Sequence, residues 1–215
     1  MLNIGLVTID LWEIEEALRV FNEVDILLTN NHEYMDLKEY ATTPWYCLAF
    51  LNCCLKDQDK TIQFAKKAYN KLVLLNTHQS IWGKSYGLLF LGMTYKNIGN
   101  IKKASEMYRQ AITYAEETYY TQVKAKAITG LAELDRIQGD FQTALSNHLE
   151  SIKVLEKIGA KCDLAEAYYQ LGLTYQKMRQ VDNSQENFDK AIQIFSEMEA
   201  PKQVEKVRRA MEAEG

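Results

Sequence analysis

Residues 91–112 read LGMTYKNIGNIKKASEMYRQAI, and eighty residues later the chain reads LGLTYQKMRQVDNSQENFDKAI over 171–192. Halfway between them, LAELDRIQGDFQTALSNHLESI over 131–152 keeps the same skeleton. The step is 40: Gly92, Ala132 and Gly172 align, as do Ala104, Ala144 and Ser184, and so do Tyr108, His148 and Phe188. A fixed period of this length is the mark of stacked supersecondary units, each of which buries its apolar face only against its neighbours. The unit is a helical hairpin. Leu88, Leu91, Gly92 and Tyr95 are spaced i, i+3, i+4, i+7 and share one helical face, and Ala104, Tyr108 and Ala111 do the same further on. Between the two runs stands Gly99-Asn100, repeated as Gly139-Asp140: a glycine suited to the left-handed position past a helix end, then a side chain able to cap the next helix.

Composition agrees. Only Pro44 and Pro201 interrupt 215 residues, which leaves long segments free to be helical, and 47% hydrophobic residues suffice for a core. Lys and Arg total 25 against 29 Asp and Glu, a net charge of −4 with no long run of one sign, which argues against nucleic acid as a partner. Neither a secretory leader nor an apolar run of membrane-spanning length is present, so a cytoplasmic location without membrane attachment is expected. Cys47, Cys53, Cys54 and Cys162 lack metal-ligand spacing, and His32, His78 and His148 are far apart, so reduced thiols and no metal or cofactor are expected. No phosphate loop, zinc-protease, nucleophile-elbow or calcium-loop motif occurs, and adjacent Glu pairs such as Glu15-Glu16 point about 100° apart on a helix. The chain therefore reads as non-catalytic.

The positions quoted above resemble the tetratricopeptide repeat, W-x2-L-G-x2-Y followed by A-x3-F-x2-A. Leu91, Gly92, Tyr95, Ala104, Tyr108 and Ala111 form one full copy, and Leu171, Gly172, Tyr175, Ser184, Phe188 and Ala191 another. A fourth copy departs from the pattern at Ala132, Asp135 and His148, so a looser hairpin is expected there. Trp45, Leu48, Ala49, Ala65 and Ala68 fit an earlier copy, and Gly5, Ala17, Phe21 and Val24 a first one, with Asp10 and Glu13 as a capping box for its second helix. The resemblance implies an all-α, right-handed superhelical solenoid of about 4.5–5 hairpins. Repeats are expected near 1–36, 37–78, 79–119, 120–159 and 160–199 as one continuous array, with a capping helix and tail over 200–215. The step of 40 exceeds the family's usual 34, as in long repeats resembling those of kinesin light chains and bacterial signalling ATPases. The short first helix before Gly5 suggests a segment of a larger protein.

By the same resemblance, partners bind the concave face made by the first helix of each hairpin. About the packing centre, offsets −6, −3, +1 and +4 form a second stripe turned by roughly 130°. These offsets fall on Thr43, Tyr46, Phe50 and Cys53; on Tyr86, Leu89, Met93 and Lys96; on Lys126, Thr129, Glu133 and Arg136; and on Glu166, Tyr169, Leu173 and Gln176. A protein or peptide partner is expected, with Tyr46, Phe50, Tyr86, Leu89, Met93, Tyr169 and Leu173 as apolar anchors, Lys126 or Arg136 orienting an acidic group, and Glu133 among them. The set of Lys, Asn and Arg with which chaperone-tail binders clamp a terminal carboxylate is not supplied. Two roles follow: the sensor or adaptor segment of a larger signalling protein, or a stand-alone scaffold. The competing expectation is that curvature buries these side chains against neighbouring hairpins.

Overall fold

A computed structural model describes residues 1–30, 43–74 and 81–213. The repeat boundaries expected near 36–37 and 78–79, and the tail beyond 213, lie outside them. The described residues form eleven helices and no strand. They are α1 (Leu2–Asp10), α2 (Ile14–Asn30), α3 (Thr43–Cys54), α4 (Gln58–Leu74), α5 (Ile81–Asn97), α6 (Ile101–Thr118), α7 (Thr121–Gln138), α8 (Phe141–Ile158), α9 (Lys161–Lys177), α10 (Val181–Glu197) and α11 (Pro201–Glu212). The chain divides into two compact units, Met1–Tyr119 and Tyr120–Gly215.

Each hairpin turns in the same way. Seven residues after the packing centre stands a residue in the left-handed region, Trp12, Lys56, Gly99, Gly139 or Arg179, with φ between 60° and 83°. Its amide and the next one bond back to the outgoing helix: Gly139 N to Arg136 O at 3.1 Å and Asp140 N to Asp135 O at 2.9 Å, matched by Arg179 N to Gln176 O and Gln180 N to Tyr175 O. These are the paired bonds that satisfy a helix's last carbonyls. Asn100 and Asp140 then cap α6 and α8 by accepting from Lys103 N and Thr143 N. The first hairpin obeys this rule rather than the expected capping box. Asp10 ends α1, and the Glu13 amide bonds to Thr8 O as the second amide of the turn.

Inside the hairpins, small residues admit rings. A Cβ built on Gly92 would stand 2.6 Å from the Tyr108 ring, one on Gly172 2.7 Å from Phe188, and one on Gly5 2.7 Å from Phe21. The aromatic ring of the second helix thus comes so near the backbone of the first that no Cβ fits between them at these three positions. Ser184 stands where three other copies have Ala17, Ala104 and Ala144, and its hydroxyl donates to Gly172 O at 3.0 Å, so the extra polar atom is satisfied. The fourth copy is not looser. Ala132 and His148 are both wholly buried, and Asn147 donates to Asp135 at 2.9 Å across the hairpin. The alanine methyl at the glycine position is matched by the smaller five-membered ring of His148 at the aromatic one.

In the first unit, Trp45 donates from Nε1 to Asp25 at 2.6 Å and Lys67 lies 4.2 Å above the Trp45 ring, tying α2, α3 and α4 together. In the second, Ala125, Ile152, Leu155, Ala167 and Leu171 make a core shared by α7, α8 and α9. Burial of such side chains stabilises by about 25 cal/mol per Å² of apolar surface.

Candidate binding face

The helices α3 and α5 carry the first unit's share of the expected stripe. Tyr46, Phe50 and Leu89 are enclosed, at 0%, 3% and 1% exposure. Phe90 holds the first two: its ring stacks on Tyr46 with centroids 5.5 Å apart and meets Phe50 edge-on at 5.5 Å. The three expected anchors are core residues here, because α3 and α5 of consecutive hairpins pack directly on one another and the stripe between them closes. Tyr86 and Met93 on α5 remain half-buried, with surface to offer. The side chain of Thr43 lies outside what is described.

In the second unit the stripe is polar and bridged. Lys126 of α7 pairs with Asp163 of α9 at 2.5 Å, and Gln122 donates to the same carboxylate at 2.6 Å. Arg136 spends two nitrogens on one residue of α9, donating to Gln170 O and to Gln170 Oε1, both at 2.9 Å. Gln170 donates onward to Glu166 at 2.8 Å, and Glu166 pairs with Lys206 of α11 at 2.6 Å. One step along, Gln176 donates to Ala210 O at 3.0 Å. Arg136 and Gln176 hold the same offset, and each reaches a residue 34 positions on, so the bond is a repeated inter-hairpin stitch. Lys126 and Arg136 are therefore committed to their own protein, and the expected role of orienting an acidic ligand group is corrected accordingly. Glu133 is buried with its carboxylate 3.9 Å from Arg136.

Tyr169 and Leu173 on α9 are half-buried. The phenol of Tyr169 is pushed up to about 12, chiefly by burial and then by the Glu166 carboxylate, so it stays a neutral donor. Its ring lies 6.1 Å from Phe188 and 4.8 Å below the Lys206 ammonium. The bridging residues Asp163, Gln170 and Lys206 were not among the expected site residues. Lys206 had a signal, since Lys126, Glu166 and Lys206 stand at exact steps of 40 and the frame simply continues into α11. Asp163 and Gln170 sit outside the assumed stripe, and only the approach of α7 to α9 shows their use.

On the side of the second helices, α8 and α10 leave a cleft of about 400 Å³ floored by Tyr168, Leu171 and Tyr175. Its rim is internally paired: Tyr168 donates to Glu156 at 2.7 Å, and Lys190 binds Glu186 at 2.7 Å. Among the described residues no group of three His, Cys, Asp or Glu side chains gathers as a metal site, and no helix is long and apolar enough to cross a membrane.

Stacked helical hairpins with a recurrent turn, a glycine-on-ring contact and side-chain stitches between first helices define an all-α repeat solenoid protein. Two tetratricopeptide repeat family models match, one over residues 122–197 and one over 86–118, together just over half of the chain. The chain belongs to the tetratricopeptide repeat family. No curated protein matches it. Among solved structures it is similar to BtubC (BKLC) from P. vanneervenii, at 19% identity and TM-score 0.62, covering 94% of this chain and 84% of that one. It is also similar to aspartyl phosphate phosphatase F from Bacillus subtilis, at 12% identity and TM-score 0.68, where 96% of this chain spans 54% of that one. A third is Bacillus thuringiensis PlcR in complex with the peptide PapR7 and DNA, at 16% identity and TM-score 0.66, covering 89% of this chain and 74% of that one. At these identities the likeness is one of fold.

Proposed function

We propose that this chain is a non-catalytic protein- or peptide-binding module whose partner lies along the concave face of the first helices, and that it serves as the sensor or adaptor segment of a larger signalling protein. The observation that carries the reading is a pair of large side chains in each unit, Tyr86 and Met93 on α5 in the first and Tyr169 and Leu173 on α9 in the second, all at stripe positions and half-buried rather than enclosed. Half-buried aromatic and aliphatic side chains on a rigid helix are what an interface uses as anchors, because little entropy is lost in fixing them. The similar PlcR structure holds a peptide, which supports a peptide-sized partner. Cations on this face are already paired within the protein, and the net charge is −4, so an apolar segment of a protein fits better than an anionic ligand or nucleic acid.

The test is affinity capture from the source cell with wild type and a Tyr86→Ala/Leu173→Ala variant, after circular dichroism has shown that the variant folds. Each truncation is expected to cost about 2 kcal/mol of binding where the residue is a hot spot. Equal recovery of the same partners by both proteins would refute the reading. Phe50 and Tyr46 are unsuitable probes, since truncating either excavates the core.

A further inference from the structure

We propose that α11 is the resident but replaceable occupant of a helix-binding surface on α9 and α10, and that this surface accepts in its place an amphipathic helix of a partner protein carrying a lysine followed by a branched apolar residue. The proposal goes beyond the reading above and shares one residue with it, Tyr169, whose ring here faces an ammonium from α11. Of the twelve residues of α11, only Gln203 and Val207 are buried, against seven in α9 and five in α10. A helix this short and this lightly anchored has little stability of its own. Its Glu205, Arg208, Arg209 and Glu212 face solvent, with Arg209 paired to Glu205.

What holds α11 is a lysine socket. The Lys206 ammonium sits 2.6 Å from the Glu166 carboxylate, 4.8 Å from the centre of the Tyr169 ring and 5.9 Å from that of Phe195. One carboxylate and two aromatic faces are complementary in charge to an ammonium, and the site is partly desolvated, Lys206 being 17% exposed. Val207, next in sequence, is wholly buried. A further stitch, Gln176 to Ala210 O, is made to a main-chain carbonyl, which a helix of any sequence presents. Recognition therefore includes the Lys-Val pair, with the buried Gln203 beside it.

The experiment uses the full chain and a fluorescent peptide with the sequence of residues 200–213. Lys206→Ala in the protein weakens the resident helix, so the wild-type peptide is expected to bind this variant about tenfold more tightly than it binds wild-type protein. Replacing the lysine by alanine in the peptide is expected to lose about tenfold. Hydrogen exchange should show α11 amides of the Lys206→Ala protein exchanging about tenfold faster than in wild type, with α9 and α10 unchanged. Absence of peptide binding to the Lys206→Ala protein, equal binding of the lysine and alanine peptides, or exchange of α11 only in step with α9 and α10 would overturn the proposal.

Discussion

At Gly172 a methyl group would meet the Phe188 ring at 2.7 Å, and that ring is 2% exposed with nowhere to withdraw. Gly172→Ala is expected to cost about 1–3 kcal/mol, visible as a lowered urea midpoint. Phe188→Leu in the same chain should return part of it, because the two residues share one volume; strictly additive losses would contradict the ring-on-glycine contact. His148 makes a different prediction. Thr174 has one hydroxyl proton and gives it to Gln170 O at 3.0 Å, so His148 Nε2, 3.0 Å from the Thr174 oxygen, must be the donor. Nδ1 is then a bare lone pair, buried without a partner. Burial first, and the Arg136 charge second, push the folded pKa down to about 3 from the ordinary 6.5. Between those values the unfolded chain holds the extra proton. This share of stability is full above pH 6.5 and is lost as pH falls toward 3, by about 1.4 kcal/mol per pH unit. His148→Leu should therefore flatten the fall in unfolding free energy between pH 7 and 4.5; equal slopes for the two proteins would refute the assignment.

The helices repeat one turn, and its five occupants are unequal. Gly99 and Gly139 take the left-handed backbone without strain, whereas Arg179 holds φ 60° with a side chain attached. A non-glycine residue there costs about 1–2 kcal/mol, and the greater freedom of glycine in the unfolded chain offsets part of that. Arg179→Gly is expected to stabilise by about 0.5–1 kcal/mol, read from thermal or urea unfolding; a lowered midpoint would show that the Arg179 side chain contributes more than the strain it carries. The Gly-Asn and Gly-Asp punctuation was legible in the sequence because those residues state a backbone preference outright. Trp12, Lys56 and Arg179 were not, since nothing in their chemistry announces a positive φ. For the same reason Asp10 and Glu13 looked like a capping box: the spacing was right, but Trp12 takes the left-handed turn position and the helix starts at Ile14, so Glu13 rather than Asp10 precedes it.

For the molecule as a whole, none of the four cysteines is disulfide-bonded, and burial pushes Cys47 well above its ordinary range. Melting curves with reductant or with chelator are expected to superimpose on the untreated curve, and a shift of several degrees would reveal a covalent or metal contribution. The sequence by itself determined the helical hairpin, its period of 40 and the family, because helical periodicity, glycine at the crossing and capping residues act locally and repeat in register. Only the tertiary structure decided the fate of the stripe of candidate anchors. Whether Tyr46 is a ligand contact or a core ring depends on how near α5 comes to α3, and whether Arg136 is a clamp or a stitch depends on Gln170 lying within 2.9 Å. Both are distances between residues more than thirty positions apart, set by how the side chains of two hairpins fill the space between them, and no local rule of the chain contains them.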